Sequence, residues 1–142
     1  MINKFLFSTG EHINHLTSHL GLLFLRLFAG LTMAFAHGVD KIPPHEQFIG
    51  FLDSMGFPVP FMFAWMAALA EFVGSLLVAL GLLTRPAAFT VMTTMLVAAF
   101  MAHANDPFQK KEMALLYFFI FLLFFLVGPG KYSLDSKIIN KK

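Results

Sequence analysis

Four long apolar runs constrain the fold of this 142-residue chain more than any other feature. They cover residues 20–36, 61–83, 86–102 and 107–127. Each is close to the roughly 20 residues that an α-helix needs to cross a bilayer. Hydrophobic residues make up 58% of the chain and charged residues only 13%, unlike a soluble domain. We therefore expect an all-α, polytopic membrane protein, built as a bundle of four transmembrane helices.

The fourth run has recognisable helix signals at both of its ends. Asp106, Pro107 and Gln109 are typical of an N-cap, a proline at the first helical position and a capping-box partner. The Gly-Pro-Gly sequence at 128–130 then predicts the end of the helix. The fourth helix is therefore predicted to extend to Val127.

The long connection at 38–60 predicts one further, shorter helix. Its apolar residues recur at helical spacing, namely Phe48, Ile49, Phe51, Leu52 and Met55. Its polar face carries His45, Glu46, Gln47 and Asp53. We interpret this segment as a short amphipathic surface helix between transmembrane helices 1 and 2, lying over one mouth of the bundle.

Lysine and arginine are distributed unequally at the ends of the runs, which predicts the orientation. One side carries Lys4, Arg85, Lys131, Lys137, Lys141 and Lys142, and the other carries Lys41, Lys110 and Lys111. Both termini are therefore predicted to be cytoplasmic. The chain divides into an amphipathic N-terminal juxtamembrane segment at 1–19, a transmembrane domain at 20–130 and a basic cytoplasmic tail at 131–142.

Two properties of the composition exclude whole classes of function. The formal net charge of +2 is small and the basic residues are scattered, which makes nucleic acid an improbable partner. The chain contains no cysteine, which excludes direct thiol–disulfide chemistry and thiolate metal ligation. No intrinsic cofactor is predicted, so any redox role requires a bound molecule and electrons from a partner.

Arg26 and Glu71 are predicted to form an ion pair between the first two transmembrane helices. An isolated charge in the hydrocarbon costs roughly 3 kcal/mol, so buried charges are expected to be paired. Glu71 lies in a stripe of small residues that lets helices approach closely, formed by Ala64, Ala67, Ala68, Gly74 and Ser75. The pair either forms the polar floor of a pocket or only holds the helices together, and both interpretations remain open.

His37, His103 and Glu112 are the candidate catalytic residues. They come from three helices, and we expect all three near the predicted outer side, where they can line one pocket. Histidine and carboxylate groups can exchange protons near neutral pH. Simple interfacial placement of polar side chains is the competing interpretation. The candidate ligand-binding residues are Arg26, Lys41, Trp65, Glu71 and Tyr117.

Three histidines before the first run, His12, His15 and His19, share one helical face at a spacing that can coordinate a metal. Glu11 adds a carboxylate. A juxtamembrane amphipathic helix with polar histidines explains the same pattern more simply. We therefore predict no metal site, and the sequence leaves metal binding by these histidines open.

The order of several short motifs resembles that of the DoxX family, which comprises small four-helix bacterial inner-membrane proteins. The motifs are Arg26-x3-Gly30, His37-Gly38-x2-Lys41, Glu71, the sequence at 81–85, His103, Glu112 and Gly128-Pro129-Gly130-x2-Ser133-x-Asp135. The resemblance implies a four-helix bundle in the bacterial inner membrane. Its implications for activity are mixed. The family includes relatives of a membrane subunit of a thiosulfate:quinone oxidoreductase, and other members are associated with resistance to quinones and catechols or with membrane-tethered oxidative-stress complexes. Some relatives carry cysteines suited to disulfide exchange, and this chain has none.

We interpret the chain as an inner-membrane, redox-associated protein that binds a quinone or similar aromatic in an outer-leaflet pocket. It would act as a subunit of, or accessory to, an oxidoreductase, and the sequence does not decide whether it is catalytic itself. Its expected partners are the lipid bilayer, an aromatic small molecule, a redox protein and a second copy of the chain. One alternative is a non-enzymatic membrane scaffold or accessory subunit. A second is a small transporter or proton pathway through Glu112, Glu71 and Arg26.

Overall fold

The computed structural model describes residues 16–139 of the chain. Every regular element within these residues is helical, which confirms the all-α prediction. Residues 1–15 and 140–142 lie outside the described residues. Most of the predicted juxtamembrane segment at 1–19, including His12 and His15, and the end of the predicted tail therefore fall outside them.

The first long helix contains three consecutive kinds of helical turn. Helix α1 (Leu16–Met33) continues into a π-helical segment, π1 (Ala34–Gly38), and ends with a single 3-10 turn at Val39–Lys41. The helix therefore extends beyond the apolar run that predicted it, as far as Lys41. This extension places the side chains of His37 and Lys41 on a rigid helical element.

The predicted helix in the long connection is present as α2 (Glu46–Ser54). The His45 side chain accepts a hydrogen bond from the Phe48 amide at 3.1 Å, which caps the amino-terminal end of the helix. Leu52 is buried, and the helix packs against the beginning of the second long helix. Gly56 follows the helix with a φ of +81°, a conformation that glycine adopts without strain.

The second and third long helices also contain π-helical segments. The second consists of α3 (Pro60–Leu69), π2 (Ala70–Gly74) and α4 (Ser75–Leu80). The third consists of α5 (Thr84–Val97) and π3 (Ala98–Ala102). Such i→i+5 segments are rare and are frequently found at functional sites.

Helix α6 (Phe108–Val127) is the fourth long helix, and a short helix, α7 (Leu134–Ile139), follows it. The predicted capping box at its beginning is wrong. Pro107 is the N-cap residue, and no side chain caps the helix. The Asp106 carboxylate instead lies 2.7 Å from His103 Nδ1, because the turn between π3 and α6 brings the two side chains together.

Small residues set the packing between the first and second long helices. A Cβ atom added to Gly30 would lie 2.7 Å from the backbone oxygen of Ser75. A Cβ atom added to Gly38 would lie 2.6 Å from the backbone nitrogen of Phe72. Both glycines are therefore required for this close approach. Helices α5 and α6 pack against each other along the other side of the bundle, around Phe121 and Phe124.

Three helices are long and apolar enough to cross a membrane, judged by length and composition over the described residues: Leu16–Lys41, Pro60–Leu80 and Thr84–Ala102. Helix α6 has 20 residues, but Lys110, Lys111 and Glu112 fall near its beginning. These charges separate it from the other three by composition. The structure thus supports three spans by length and composition.

Candidate functional site

A buried carboxylate in the second long helix is the centre of the candidate site. Lys41 Nζ lies 2.7 Å from Glu71 Oε1 and 2.5 Å from Oε2. The Glu71 side chain is 3% exposed, whereas that of Lys41 is 29% exposed. The ion pair therefore joins a buried carboxylate to a cation that reaches the surface of the bundle.

Two π-helical segments bring the partners of this ion pair together. Glu71 belongs to π2, and Lys41 lies in the turn that directly follows π1. The two π segments contact each other, with Gly38 against the backbone of Glu71 and Phe72. The absence of a side chain at Gly38 allows the first helix to approach the carboxylate closely enough for Lys41 to bind it.

A histidine and a tyrosine lie beside the ion pair. His37, in π1, meets the ring of Tyr117 edge to face, with 5.7 Å between the ring centroids. Tyr117 stacks in turn on Phe121 at 6.4 Å. His37 directly precedes Gly38, which packs against the backbone of Glu71. This end of the bundle, which we call the Lys41 end, thus combines an imidazole, a phenol, an ammonium group and a carboxylate.

Helix α2 contributes an aromatic ring to the same end. Lys41 Nζ lies 5.5 Å from the centre of the Phe48 ring, within the range of a cation–π interaction. Since α2 packs on the second long helix, it covers part of the Lys41 end.

The other candidate residues have different surroundings. His103 follows π3 and contacts Asp106, while Glu112 is exposed and its side chain forms no hydrogen bond or ion pair within residues 16–139. The predicted meeting of His37, His103 and Glu112 is thus not visible as a direct contact. Trp65 is partly buried, and its ring meets that of Phe61 at 6.5 Å.

Asp106 lies in the exposed turn between the third and fourth long helices. A hydrogen bond from His103 lowers the pKa of its carboxyl group, and Lys110, at 3.7 Å, lowers it further. Lys111 donates a hydrogen bond to the Ala104 carbonyl at 2.7 Å. The polar side chains of this turn bind one another and stabilise the turn.

The predicted ion pair between Arg26 and Glu71 is wrong. Arg26 is buried, and its guanidinium donates to three backbone carbonyls: Ala79 at 3.0 Å, Pro129 at 2.5 Å and Tyr132 at 2.7 Å. Its long side chain reaches the end of the second long helix and the connection after the fourth, where carbonyl groups lack helical partners. Glu71 binds Lys41 instead, because the first helix continues as far as that lysine.

A second polar cluster surrounds this arginine, at what we call the Arg26 end. Asp135 accepts hydrogen bonds from the amides of Leu83 and Thr84 and from the Thr84 hydroxyl. The Asp135 amide donates to the Gly81 carbonyl at 2.8 Å. Residues beyond the predicted domain boundary at 130 therefore pack against the bundle and fasten the connection at 81–84.

No group of three or more metal-ligating side chains is found within residues 16–139. The predicted alternative at His12, His15 and His19 lies mostly outside these residues. His19 itself accepts a hydrogen bond from the Lys131 amide at 3.2 Å and meets the ring of Tyr132. It is therefore part of the contacts at the Arg26 end.

Sequence reasoning named Lys41, Glu71, His37 and Tyr117, but it paired Glu71 with Arg26 instead of Lys41. The sequence spacing of His37 and Lys41 on one helical face was the signal that could have assigned Lys41 to Glu71. Phe48 was recognised only as part of an apolar face. The π segments have no sequence signature that could have predicted them.

Comparisons with known proteins agree with this architecture. The DoxX family model matches residues 21–104, more than half of the chain. “Inner membrane protein YqjF” of Escherichia coli is 32% identical over 129 residues, covering 87% of this chain and 95% of that protein. “Putative oxidoreductase CatD” of Bacillus subtilis is 31% identical over 124 residues, covering 87% of this chain and 90% of that protein.

A shorter match reaches higher identity. An “Uncharacterized protein” of Haemophilus influenzae is 40% identical over 83 residues, covering 54% of this chain and 62% of that relative, which is less than two thirds of its length. No solved structure matches the chain significantly. The family match, the two relatives aligned over most of their length and the apolar, all-helical fold lead to one conclusion. This chain belongs to the DoxX family of membrane proteins.

Proposed function

We propose that this protein is a redox-associated protein of the bacterial inner membrane that binds a quinone or a similar aromatic molecule at the Lys41 end. One observation carries the proposal. The edge-to-face pair of His37 and Tyr117 lies beside the ion pair of Lys41 and Glu71, so that proton-exchanging groups and aromatic rings share one end of the bundle. A relative named as an oxidoreductase agrees with a redox role.

The chemistry of these side chains suits a quinone. Its ring can pack against the rings of Tyr117 and Phe48, which supply flat apolar surfaces. Its two oxygens accept hydrogen bonds, and Lys41 and His37 are donors of the required kind. Polar groups within a mostly apolar bundle are typical of sites for small aromatic molecules.

Reduction of a quinone to a hydroquinone consumes two electrons and two protons. The electrons would come from a redox partner protein, since the chain carries no cofactor motif. His37 can supply a proton to a bound oxygen and recover one from the nearby aqueous phase. His103 and Glu112 remain candidate proton donors near the same face, as predicted from the sequence.

The proposal includes a topology with four spans. Helix α6 would be the fourth span, with Lys110, Lys111 and Glu112 at the membrane surface. Both termini would be cytoplasmic, and the Lys41 end would face the outer side. Helix α2 would then lie on the outer membrane surface, its polar side chains in water.

A non-enzymatic scaffold is the second candidate function, and the Arg26 end favours it. Arg26 and Asp135 there bind backbone groups and the Thr84 hydroxyl among the described residues, which supports a structural role. If the Lys41–Glu71 pair is equally structural, the protein would act by holding a partner. The two functions differ in whether an aromatic molecule binds specifically.

Titration with a short-chain quinone tests the proposal. The chain has a single tryptophan, Trp65, whose fluorescence reports binding without a label. We expect His37→Ala and Lys41→Met to weaken binding at least about tenfold, roughly 1.4 kcal/mol, while the proteins remain folded. His103→Ala and Glu112→Gln, measured in parallel, show whether those residues take part.

A matched control comes from the Arg26 end. Lys137→Ala removes an exposed lysine from α7, at the opposite end of the bundle, and should leave quinone affinity unchanged. Equal affinity in the wild-type protein and in all four site variants would indicate simple partitioning into detergent. That result would contradict the proposal and favour the scaffold function.

A further inference from the structure

Ser75 is buried in the second long helix, and its hydroxyl group has no hydrogen-bond partner among the described residues. Leaving a buried hydroxyl unpaired is energetically unfavourable. Buried polar groups in folded proteins nearly always have a hydrogen-bond partner. The position of Ser75 in the bundle therefore calls for a functional explanation.

Hydroxyls of the neighbouring helix are bound differently. Thr90 donates to the Ala87 carbonyl at 2.8 Å, and Thr94 donates to the Thr90 carbonyl at 3.0 Å. These bonds to the preceding turn are the usual arrangement for hydroxyls within helices. Ser75, the first residue after π2, does not form one. Its hydroxyl is therefore available to another acceptor.

The Glu71 carboxylate is a candidate acceptor on the same helix. Ser75 follows Glu71 by four residues, a spacing that places two side chains on the same helical face. Both positions face the first long helix, since Gly38 packs against the backbone at Glu71 and Gly30 packs against the backbone at Ser75. The two side chains thus share the interface between the first and second long helices.

We propose that Ser75 is a positioning residue that provides a second hydrogen-bond partner for the Glu71 carboxyl group, used when Lys41 is withdrawn. In the structure both carboxyl oxygens bind Lys41, and the hydroxyl is idle. Lys41 is the exposed partner of the pair and contacts Phe48 on α2. A ligand can bind the ammonium group of Lys41, or a movement of α2 can draw it away from Glu71. The Glu71 carboxyl group then stays buried, and the Ser75 hydroxyl donates a hydrogen bond to it.

This inference rests on the proposed function, because a quinone oxygen is the acceptor that would take Lys41. A buried Glu71 carboxyl group without any hydrogen-bond partner would make the free energy of ligand binding less favourable. A hydroxyl already in the interface reduces that cost without a rearrangement of the backbone. Ser75 would thereby allow Lys41 to bind Glu71 when the site is empty and to bind the ligand when the ligand is present.

A double-mutant cycle without ligand tests the inference directly. Ser75→Ala should leave the melting temperature unchanged or raised when Lys41 is present, because an idle hydroxyl is removed. In a Lys41→Met protein, the same change should lower the melting temperature, because Glu71 then loses the Ser75 hydroxyl as a donor. Ser75→Thr, which keeps the hydroxyl, should restore the value. Lys41→Gln serves as the background if Lys41→Met does not fold.

The control is a buried hydroxyl far from Glu71. Ser133 donates to the Gly130 carbonyl at 2.8 Å at the Arg26 end, and Ser133→Ala should have the same effect with and without Lys41. The same effect of Ser75→Ala in both backgrounds would overturn the inference. Because no quinone is present, that failure is distinct from a failure of quinone binding.

Discussion

Thr84 donates two hydrogen bonds to the carboxylate of Asp135, one from its backbone amide at 3.0 Å and one from its hydroxyl at 2.9 Å. The amide of Leu83, whose φ of +48° is unusual for a residue with a side chain, adds a third at 2.8 Å. A carboxylate at the amino-terminal end of a helix also interacts favourably with the helix dipole. A residue close to the end of the chain therefore caps α5.

Removal of this cap is expected to destabilise the protein. Asp135→Ala leaves the amides of Leu83 and Thr84 without an acceptor, and we expect a loss of about 2 kcal/mol in the free energy of unfolding. Thermal unfolding in detergent measures the loss. Lys137→Ala, an exposed change on the same short helix, is the control. Equal stability of the two variants would contradict the capping role.

The two buried charges of the first two helices should behave independently. Arg26→Met removes the donor for three carbonyls and should cost about 3 kcal/mol, and Glu71→Gln affects only the Lys41 pair. The two losses should add to within about 0.5 kcal/mol in the double variant, because the side chains share no partner. Recovery of stability in the double variant would instead indicate a direct Arg26–Glu71 pair.

Lys41 and Glu71 should show the opposite behaviour. Lys41→Met leaves a buried carboxylate without its cation, and we expect a loss of up to about 3 kcal/mol, limited by the partial exposure of the lysine. Adding Glu71→Gln should restore part of this loss, because the unpaired charge is removed. Chemical denaturation of the four proteins gives the coupling energy. A coupling of zero would show that the pair does not form in the membrane protein.

The orientation can be tested with single cysteines, since the chain has none. Cysteines in place of Ser54 or Asn105, both exposed near the Lys41 end, should react with an impermeant maleimide in intact cells. A cysteine in place of Lys137 should react only after the cells are opened. The reverse pattern would place the Lys41 end in the cytoplasm and would contradict the outer-leaflet site.

The turn between the third and fourth long helices should lose stability in acid. The hydrogen bond from His103 lowers the pKa of Asp106 below its ordinary value of 3.8. A carboxyl pKa that is lower in the folded protein stabilises the folded state at pH values above the ordinary pKa. This contribution disappears as the pH falls through the lowered pKa. The melting temperature of Asp106→Asn should therefore depend less on pH below about 4 than that of the wild type. If the melting temperatures of the two proteins changed equally with pH, Asp106 would make no such contribution to stability.

The apolar runs predicted the long helices well because burial in lipid requires long apolar segments. The helix at 46–54 was also predictable, since its apolar and polar residues alternate at helical spacing. The partners of the buried charges could not be predicted from the sequence. Arg26 binds backbone carbonyls, and every residue has one, so the sequence contains no signal for its partners.

The site at the Lys41 end was predictable in its residues but not in its geometry. Lys41 was assigned to a ligand, and its binding to Glu71 depends on where the first helix ends. That end is set by π1 and by the close contact at Gly38, which are tertiary features. Asp106 was assigned to a helix cap because local rules favour it, and the nearby His103 competed successfully for its carboxylate.

The sequence positions of the Arg26 acceptors determine when this arginine can find its partners during synthesis. They lie 53, 103 and 106 residues further along the chain, at Ala79, Pro129 and Tyr132. The arginine thus enters the membrane long before the ribosome has made most of its partners. A nascent chain interrupted after the third long helix holds a guanidinium group with one of its three carbonyls, because the other two follow the fourth long helix. Premature termination should therefore leave a recognisable charge for membrane quality control to detect.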